Sequence, residues 1–266
     1  MVGGLVPRYL IPRSPGDETI SPHSGTTDVD LVLDLDVLAT IEAYRKLEQN
    51  LRALGFTRGT NDEGQPQHYS WRKSIDGGTI VVDLLCDASI LEGGQAAKIP
   101  NERRLSALKI PGAHLAIEDY IEVTIEARLL DERGDAQETI KVANIIPFIA
   151  LKALAYEDRF EQKDAYDIIY CLMYYGEGPL DVAAAFVKAL DRSPDEPLLP
   201  KAIGILRTRF ATDEHTPGRN KDGPHSYAQF LTNPGQRERD ALNRQNAAAV
   251  VDELLRQFDA LRKKTP

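Results

Sequence analysis

Three carboxylates are spaced for chemistry. Asp28 and Asp30 stand two residues apart in DVDLVLDLD, and Asp83 lies in the apolar run IVVDLLCD. On a strand, Asp-x-Asp projects two carboxylates to one side, with Cα atoms about 6–7 Å apart. Such a pair, without Lys or Arg between, repels itself unless a cation intervenes. Mg²⁺ takes one or two carboxylates and fills its shell with waters and phosphates. Two ions about 3.5–4 Å apart need more oxygens and a bridging carboxylate. Asp83 on a neighbouring strand could supply them. Asp-x-Asp alone is also what an exposed edge strand carries. An Asp among apolar residues is costly without a partner, so Asp83 strengthens the metal reading.

Other residues suit a triphosphate. Gly3-Gly4 and Ser24-Gly25-Thr26-Thr27 would let backbone N–H groups and hydroxyls approach phosphates closely, though plain turn chemistry explains them too. The stretch ALKALAYEDRFEQKDAYDII holds Lys152, Arg159 and Lys163. Were it one helix, Tyr156, Arg159 and Lys163 would share a face with Lys152. Cations so placed could neutralise phosphate charge. A mixed surface stripe is the plainer alternative, with Asp164 and Asp167 holding the cations in place.

The elements that must position these groups follow from pattern. Residues 28–36 alternate strictly, with the aspartates and Val32 on one face and Val29, Leu31, Leu33 and Leu35 on the other, which predicts a half-buried strand. Asp36 can cap a helix carrying Val37, Ile41, Tyr44, Leu47, Leu51 and Leu54, stopped by Gly55. A short helix is expected over 5–14 and a loop over 14–27. Residues 67–75 and 79–86 read as a hairpin closed by Asp76-Gly77-Gly78, and 119–130 with 136–145 as a second one around Glu132-Arg133-Gly134-Asp135. Between them, 87–118 reads as a loop. From Pro147 the pattern turns helical: one or two helices in 148–175, then 180–191, 198–211 and 240–263, with a long loop at 212–237. The expected class is α+β: a mixed sheet with helices over 1–146, then a helical part over 147–266 that completes the active site.

Composition narrows the classes. The net charge is −9, but residues 200–266 hold 12 Lys+Arg against 8 Asp+Glu, leaving 20 against 33 in the first 199. Arg207, Arg209, Arg237, Arg239, Arg244, Lys263 and Lys264 could form a footprint for a polyanion, or simply a solvated surface. No apolar run approaches the roughly 20 residues of a membrane span, and MVGGLVPRYLIPR lacks the pattern of a secretory signal. Cys86 and Cys171 sit in apolar runs and read as buried free thiols, which fits a reducing cytoplasm.

VGGLVPRYLI, HSGTTDVDLVLDL, IVVDLL and ALKALAYEDRFEQKDAYDII, in that order, resemble the motifs of the AbiEii/AbiGii-type nucleotidyltransferases, which include the toxins of type IV toxin–antitoxin pairs and the MenT-like toxins. The resemblance spans roughly residues 2–175. It implies a polymerase-β-like nucleotidyltransferase core, Mg²⁺ (two ions) and a nucleoside triphosphate. It maps the phosphate-binding segment to Gly3, Gly4 and Thr26, the metal carboxylates to Asp28 and Asp30, and the characteristic Lys and Asp to Lys152 and Asp164. It also implies NMP transfer to an RNA acceptor, the tRNA 3′ end, and a cognate antitoxin as partner. Two departures stand out. Ser24 occupies the place of an Arg common four residues before the first metal Asp, a phosphate contact then lost or supplied by Arg8 or Arg13. The helix and strand that usually precede Gly-Gly are not in this sequence, so an edge is missing or the true start lies upstream.

The leading expectation is a cytoplasmic, magnesium-dependent nucleotidyltransferase toxin acting on RNA. In it Asp28, Asp30 and Asp83 hold the metals, while Gly3, Gly4, Ser24, Thr26, Lys152, Arg159 and Lys163 hold the nucleotide. Lys152 and Asp164 join Asp28 and Asp30 as the catalytic set. An antibiotic- or small-molecule-modifying nucleotidyltransferase is the alternative, since an acidic surface suits a cationic aminoglycoside. A catalytically silent binding protein of the same fold is the third.

Overall fold

The structure, a computed structural model, describes residues 1–12, 18–35, 47–61, 63–88, 96–98, 106–129, 134–233 and 235–263. Arg13, Asp36, Val37, Ile41, Tyr44, Glu132, Arg133 and Lys264, all named above, lie outside the described residues. The chain is mixed α and β. It divides into two units, Met1–Tyr9 with Ser24–Asn144, and Leu10–His23 with Ile145–Pro266.

The first unit is built on a six-stranded sheet. Its strands are β1 (Asp28–Val32), β2 (Thr57–Thr60), β3 (Pro66–Ile75), β4 (Gly78–Ala88), β5 (Ala96–Lys98) and β6 (Ser106–Pro111). The hairpin β3–β4 turns where Gly77 takes φ 95°, a conformation only glycine adopts easily. β4 is the central strand: β1 and β6 run parallel to it and β3 antiparallel. One face carries the core, with Trp71, Val82, Leu84, Cys86 and Ala107 buried and Val29, Leu31 and Leu33 packed against them. This is the apolar side of the alternation in β1, so period-2 patterning decides which face is left for the aspartates. The ladder of β1 ends at Val32, although Leu33 still donates to the Leu85 carbonyl. A second, two-stranded sheet pairs β7 (Tyr120–Arg128) with β8 (Asp135–Ala143).

Short helices complete this unit. Gly3–Leu5 is a 3-10 turn that runs into α1 (Pro7–Leu10), where the sequence predicts one short helix. The described end of the first long predicted helix is α2 (Leu47–Ala53), which stops just before Gly55. The expected loop over 87–118 is not one: it holds β5, β6 and α3 (Ala113–Glu118). Segments of three to six residues are too short to show a period. The strands among them are made by pairing, β6 on β4 and β5 on β6.

The second unit contains α4 (Ile145–Arg159), α5 (Gln162–Tyr174), α6 (Pro179–Arg192), α7 (Leu198–Arg209), α8 (Asp222–Leu231) and α9 (Arg237–Arg262). α4 packs on α5 and α7, α5 on α8, and α9 on α6 and α8. Of the one or two helices expected over 148–175, two form, because Phe160 sits at φ 53° and the chain turns before α5. One expectation fails here. The predicted loop over 212–237 contains α8. Its Gly223 and Pro224 lie in the first helical turn, where a missing N–H is harmless. A Cβ on Gly223 would lie 2.3 Å from the Phe210 ring, so the glycine admits close packing instead of breaking the helix.

Candidate functional site

The parallel register of β1 and β4 sets the site in the first unit. Asp28 pairs with Val81 and Asp30 with Asp83, while on the other edge of β4 Ser70 pairs with Asp83 and Arg72 with Val81. Laterally paired residues share a face. The face opposite the core therefore carries two rows across three strands: Asp30, Asp83, Ser70, and then Asp28, Val81, Arg72. Adjacent strands lie about 4.8 Å apart and the rows about 6–7 Å.

Each carboxylate has its own support. The Asp28 amide donates to Thr26 Oγ1 at 3.1 Å, so Thr26 closes the turn that starts β1. Val81 donates to the Thr27 carbonyl at 3.2 Å. Ser24 is exposed just upstream. Val2 donates to the Asp30 carbonyl at 2.9 Å, bringing Gly3 and buried Gly4 alongside β1. Gly3 takes φ 78°, and a Cβ there would lie 1.8 Å from Asp30 Oδ2. Gly3 thus cradles a carboxylate, a use that the Gly-Gly motif alone does not reveal. Burial raises the pKa of Asp83, and Asp28 adds to the rise, whereas a hydrogen bond from Ser70 and the charge of Arg72 oppose it. Asp83 Oδ1 is buried and accepts no hydrogen bond among the described residues.

These features suit a hard cation: three carboxylates on one face, one of them with an orphaned buried oxygen. Among the described residues, though, no group of three or more His, Cys, Asp or Glu side chains is already gathered as a metal cage. The expected three-carboxylate cluster is thus a shared face and not a closed ligand set. Mg²⁺ asks for little more, since it keeps several waters and draws other ligands from phosphates.

The sequence pattern does not single out a further group along the same strands. Asp87 accepts from the His114 amide at 3.1 Å and is 2.9 Å from its Nδ1. They line a cavity of about 360 Å³ with Leu33, Asp34, Cys86 and Glu118. The signal for this group is weak, because His114 lies in the stretch that reads as loop.

In the second unit, Lys152 forms a buried ion network. Its Nζ lies 2.8 Å from Asp164 and 2.6 Å from Asp167. Arg159 holds Asp164 through two bonds of 2.7 and 3.0 Å, and Lys163 holds Asp167 at 3.1 Å. His23 Nε2 is 2.8 Å from Asp167, its ring packed beside Tyr166 and Tyr170, and Tyr170 donates to the Ser21 carbonyl. Asp164 and Asp167 are 1% and 0% exposed. Burial alone would lower the pKa of Lys152, but Asp167 and Asp164 outweigh it and raise the value. Burial alone would raise that of Asp167, yet His23, Lys152 and Lys163 bring it down. The acids hold the cations in place, but in a buried cluster and not in the mixed surface stripe of the plainer reading. The phosphate-facing stripe on one helix is replaced by a clasp joining α4 to α5. Arg159 and Lys163 still present partly exposed heads, at 55% and 32%.

The basic bias after residue 200 is largely neutralised within the fold. Arg207 pairs with Asp259, Arg209 with Glu157 and Asp222, and Arg244 with Asp240. Arg237 and Arg239 are exposed at the start of α9. Comparison of the chain with protein-family models, with curated proteins and with solved structures gives no match.

Proposed function

We propose that this chain is a magnesium-dependent nucleotidyltransferase with a polymerase-β-like core. It moves NMP from an NTP to an RNA hydroxyl, the tRNA 3′ end, as the toxin of a toxin–antitoxin pair. The observation that carries this reading is the sheet face shared by Asp28, Asp30 and Asp83, with Gly3 cradling Asp30 and a buried Asp83 oxygen left over for a ligand. The RNA acceptor and the antitoxin rest on the motif resemblance. The acceptor oxygen attacks the α-phosphorus, the bond to pyrophosphate breaks and pyrophosphate leaves, and the proton of the acceptor hydroxyl passes to solvent. No side-chain nucleophile is required. Asp28, Asp30 and Asp83 would hold Mg²⁺, which supplies charge neutralisation at the phosphates and activates the acceptor hydroxyl. Thr26 shapes the turn into β1, and Gly3 keeps Asp30 in place on that face. Lys152 and Asp164 support the α4–α5 junction.

A second reading changes only the acceptor. Arg207, Arg209 and Arg244, expected to bind RNA, are engaged by Asp259, Glu157 and Asp240, while Arg237 and Arg239 stay exposed; a small cationic acceptor such as an aminoglycoside needs no such footprint. Incubation with each α-³²P NTP and Mg²⁺, with total RNA or with an aminoglycoside, separates the two. Label is expected in RNA, dependent on Mg²⁺ and absent with Asp30→Asn. Label on the aminoglycoside alone would transfer the assignment to the second reading. No label on either acceptor, or full activity in Asp30→Asn, would overturn nucleotidyl transfer.

A further inference from the structure

On the nucleotidyl-transfer reading above, on which this depends, we infer that Arg72 is a polyphosphate-binding residue of the site. Arg72 is exposed on β3 and pairs laterally with Val81, which pairs in turn with Asp28. It therefore shares a sheet face with all three aspartates and lies diagonal to Asp83. Diagonal cross-strand neighbours are about 7–8 Å apart, within reach of a long side chain.

The local backbone makes room for it. β2 carries a register shift between Arg58 and Gly59. A Cβ on Gly59 would lie 2.9 Å from Ser70 Oγ and 3.2 Å from Arg72 Nε. A bare glycine thus lets both side chains lie along the sheet, with Ser70 bonded to Asp83.

Arg72 differs from five cations of the second unit. Lys152, Arg159, Lys163, Arg207 and Arg209 each hold a carboxylate. Among the described residues, the Arg72 guanidinium forms no ion pair. Its planar fork fits two phosphate oxygens at once. A metal held by the aspartates and a guanidinium beside them would together offer positive charge along a triphosphate. The ligand class is a metal-complexed polyphosphate, as in an NTP.

The test uses the full chain and two kinds of probe. Isothermal titration measures Mn²⁺ alone, then tripolyphosphate and ATP in the presence of Mg²⁺. Wild type should bind all three. Arg72→Ala should weaken tripolyphosphate and ATP on the order of ten- to a hundred-fold, the range for a lost charge-assisted bond. It should leave Mn²⁺ binding unchanged or tighter, since a repelling cation is gone. Arg72→Lys should recover part of the polyphosphate affinity. Asp30→Asn should lose Mn²⁺. If Arg72→Ala binds both polyphosphates as wild type does, while Asp30→Asn loses Mn²⁺, the role of Arg72 is refuted and the metal site stands. If wild type binds no Mn²⁺, or Asp30→Asn binds it undiminished, the nucleotidyl-transfer reading itself falls.

Discussion

The two units each gather aspartates, and they treat them in opposite ways. In the first unit Asp28, Asp30 and Asp83 share a sheet face, and burial near a like charge pushes the Asp83 carboxyl toward its neutral form. In the second, Asp164 and Asp167 are almost fully buried, yet Asp167 is held ionised by His23, Lys152 and Lys163. The difference lies in geometry. Neighbouring strands set their acids side by side, whereas two packed helices close a basic side chain over theirs. On the proposed function, carboxylates set against one another await a ligand, whereas carboxylates already neutralised serve the fold.

The largest effect should come from breaking the paired cluster. Lys152→Ala leaves Asp164 and Asp167 buried and less compensated, and should cost on the order of 3–5 kcal/mol. Urea unfolding followed by tyrosine near-UV circular dichroism should show it, since unit two holds Tyr156, Tyr166, Tyr170, Tyr174, Tyr175 and Tyr227. Trp71 is the sole tryptophan and lies in unit one, so its fluorescence reports that unit separately. A midpoint shift of similar size in both signals would show that the network supports the whole chain.

Gly3→Ala attacks the other cluster through the backbone. A Cβ would meet Asp30 Oδ2, and φ 78° is unfavourable for alanine. A loss of about 1–3 kcal/mol is expected in the Trp71 signal, together with a marked drop in Mn²⁺ affinity. Unchanged Mn²⁺ binding would mean that the cradle does not set the position of Asp30.

Asp83→Asn should do what no substitution in the paired cluster does, and stabilise. Removing a like charge beside Asp28 and Asp30 should add about 0.2–1 kcal/mol at neutral pH while weakening Mn²⁺ binding. The pH dependences should also diverge. The Asp83 pKa is raised, so its contribution is complete below the ordinary aspartate range and is lost as pH rises through the folded value. The Asp167 pKa is lowered, so its contribution is present above that range and is lost as pH falls through the folded value. Acidification from neutrality should therefore first favour unit one, and cost unit two only below roughly pH 4. Parallel acid profiles for the two units would erase the contrast.

The smallest effect belongs to the surface pairs. Arg207→Ala removes a half-exposed partner of Asp259 and should cost only about 0.2–1 kcal/mol. If it also lowered RNA affinity and flattened the salt dependence of binding, the C-terminal cations would regain a role as an acceptor footprint.

Much of the candidate site was legible because strand geometry is periodic. DVDLVLDLD and IVVDLLCD dictate, through alternation alone, that Asp28 and Asp30 face away from the core. The same local rules mark both hairpins and the helices from Ile145 onward except α8, whose stretch reads as loop. What alternation cannot supply is register, which aligns Asp30 with Asp83 and Asp28 with Arg72 across β4. Nor does local sequence say that a turn at Phe160 folds Lys152 back onto Asp164 and Asp167, or that His23 joins Asp167 from 144 residues away. Periodicity is a property of neighbouring residues, so it was readable in the chain. Which face meets which, and whether a charge finds a partner, depends on residues distant in sequence, and that was decided only by tertiary packing.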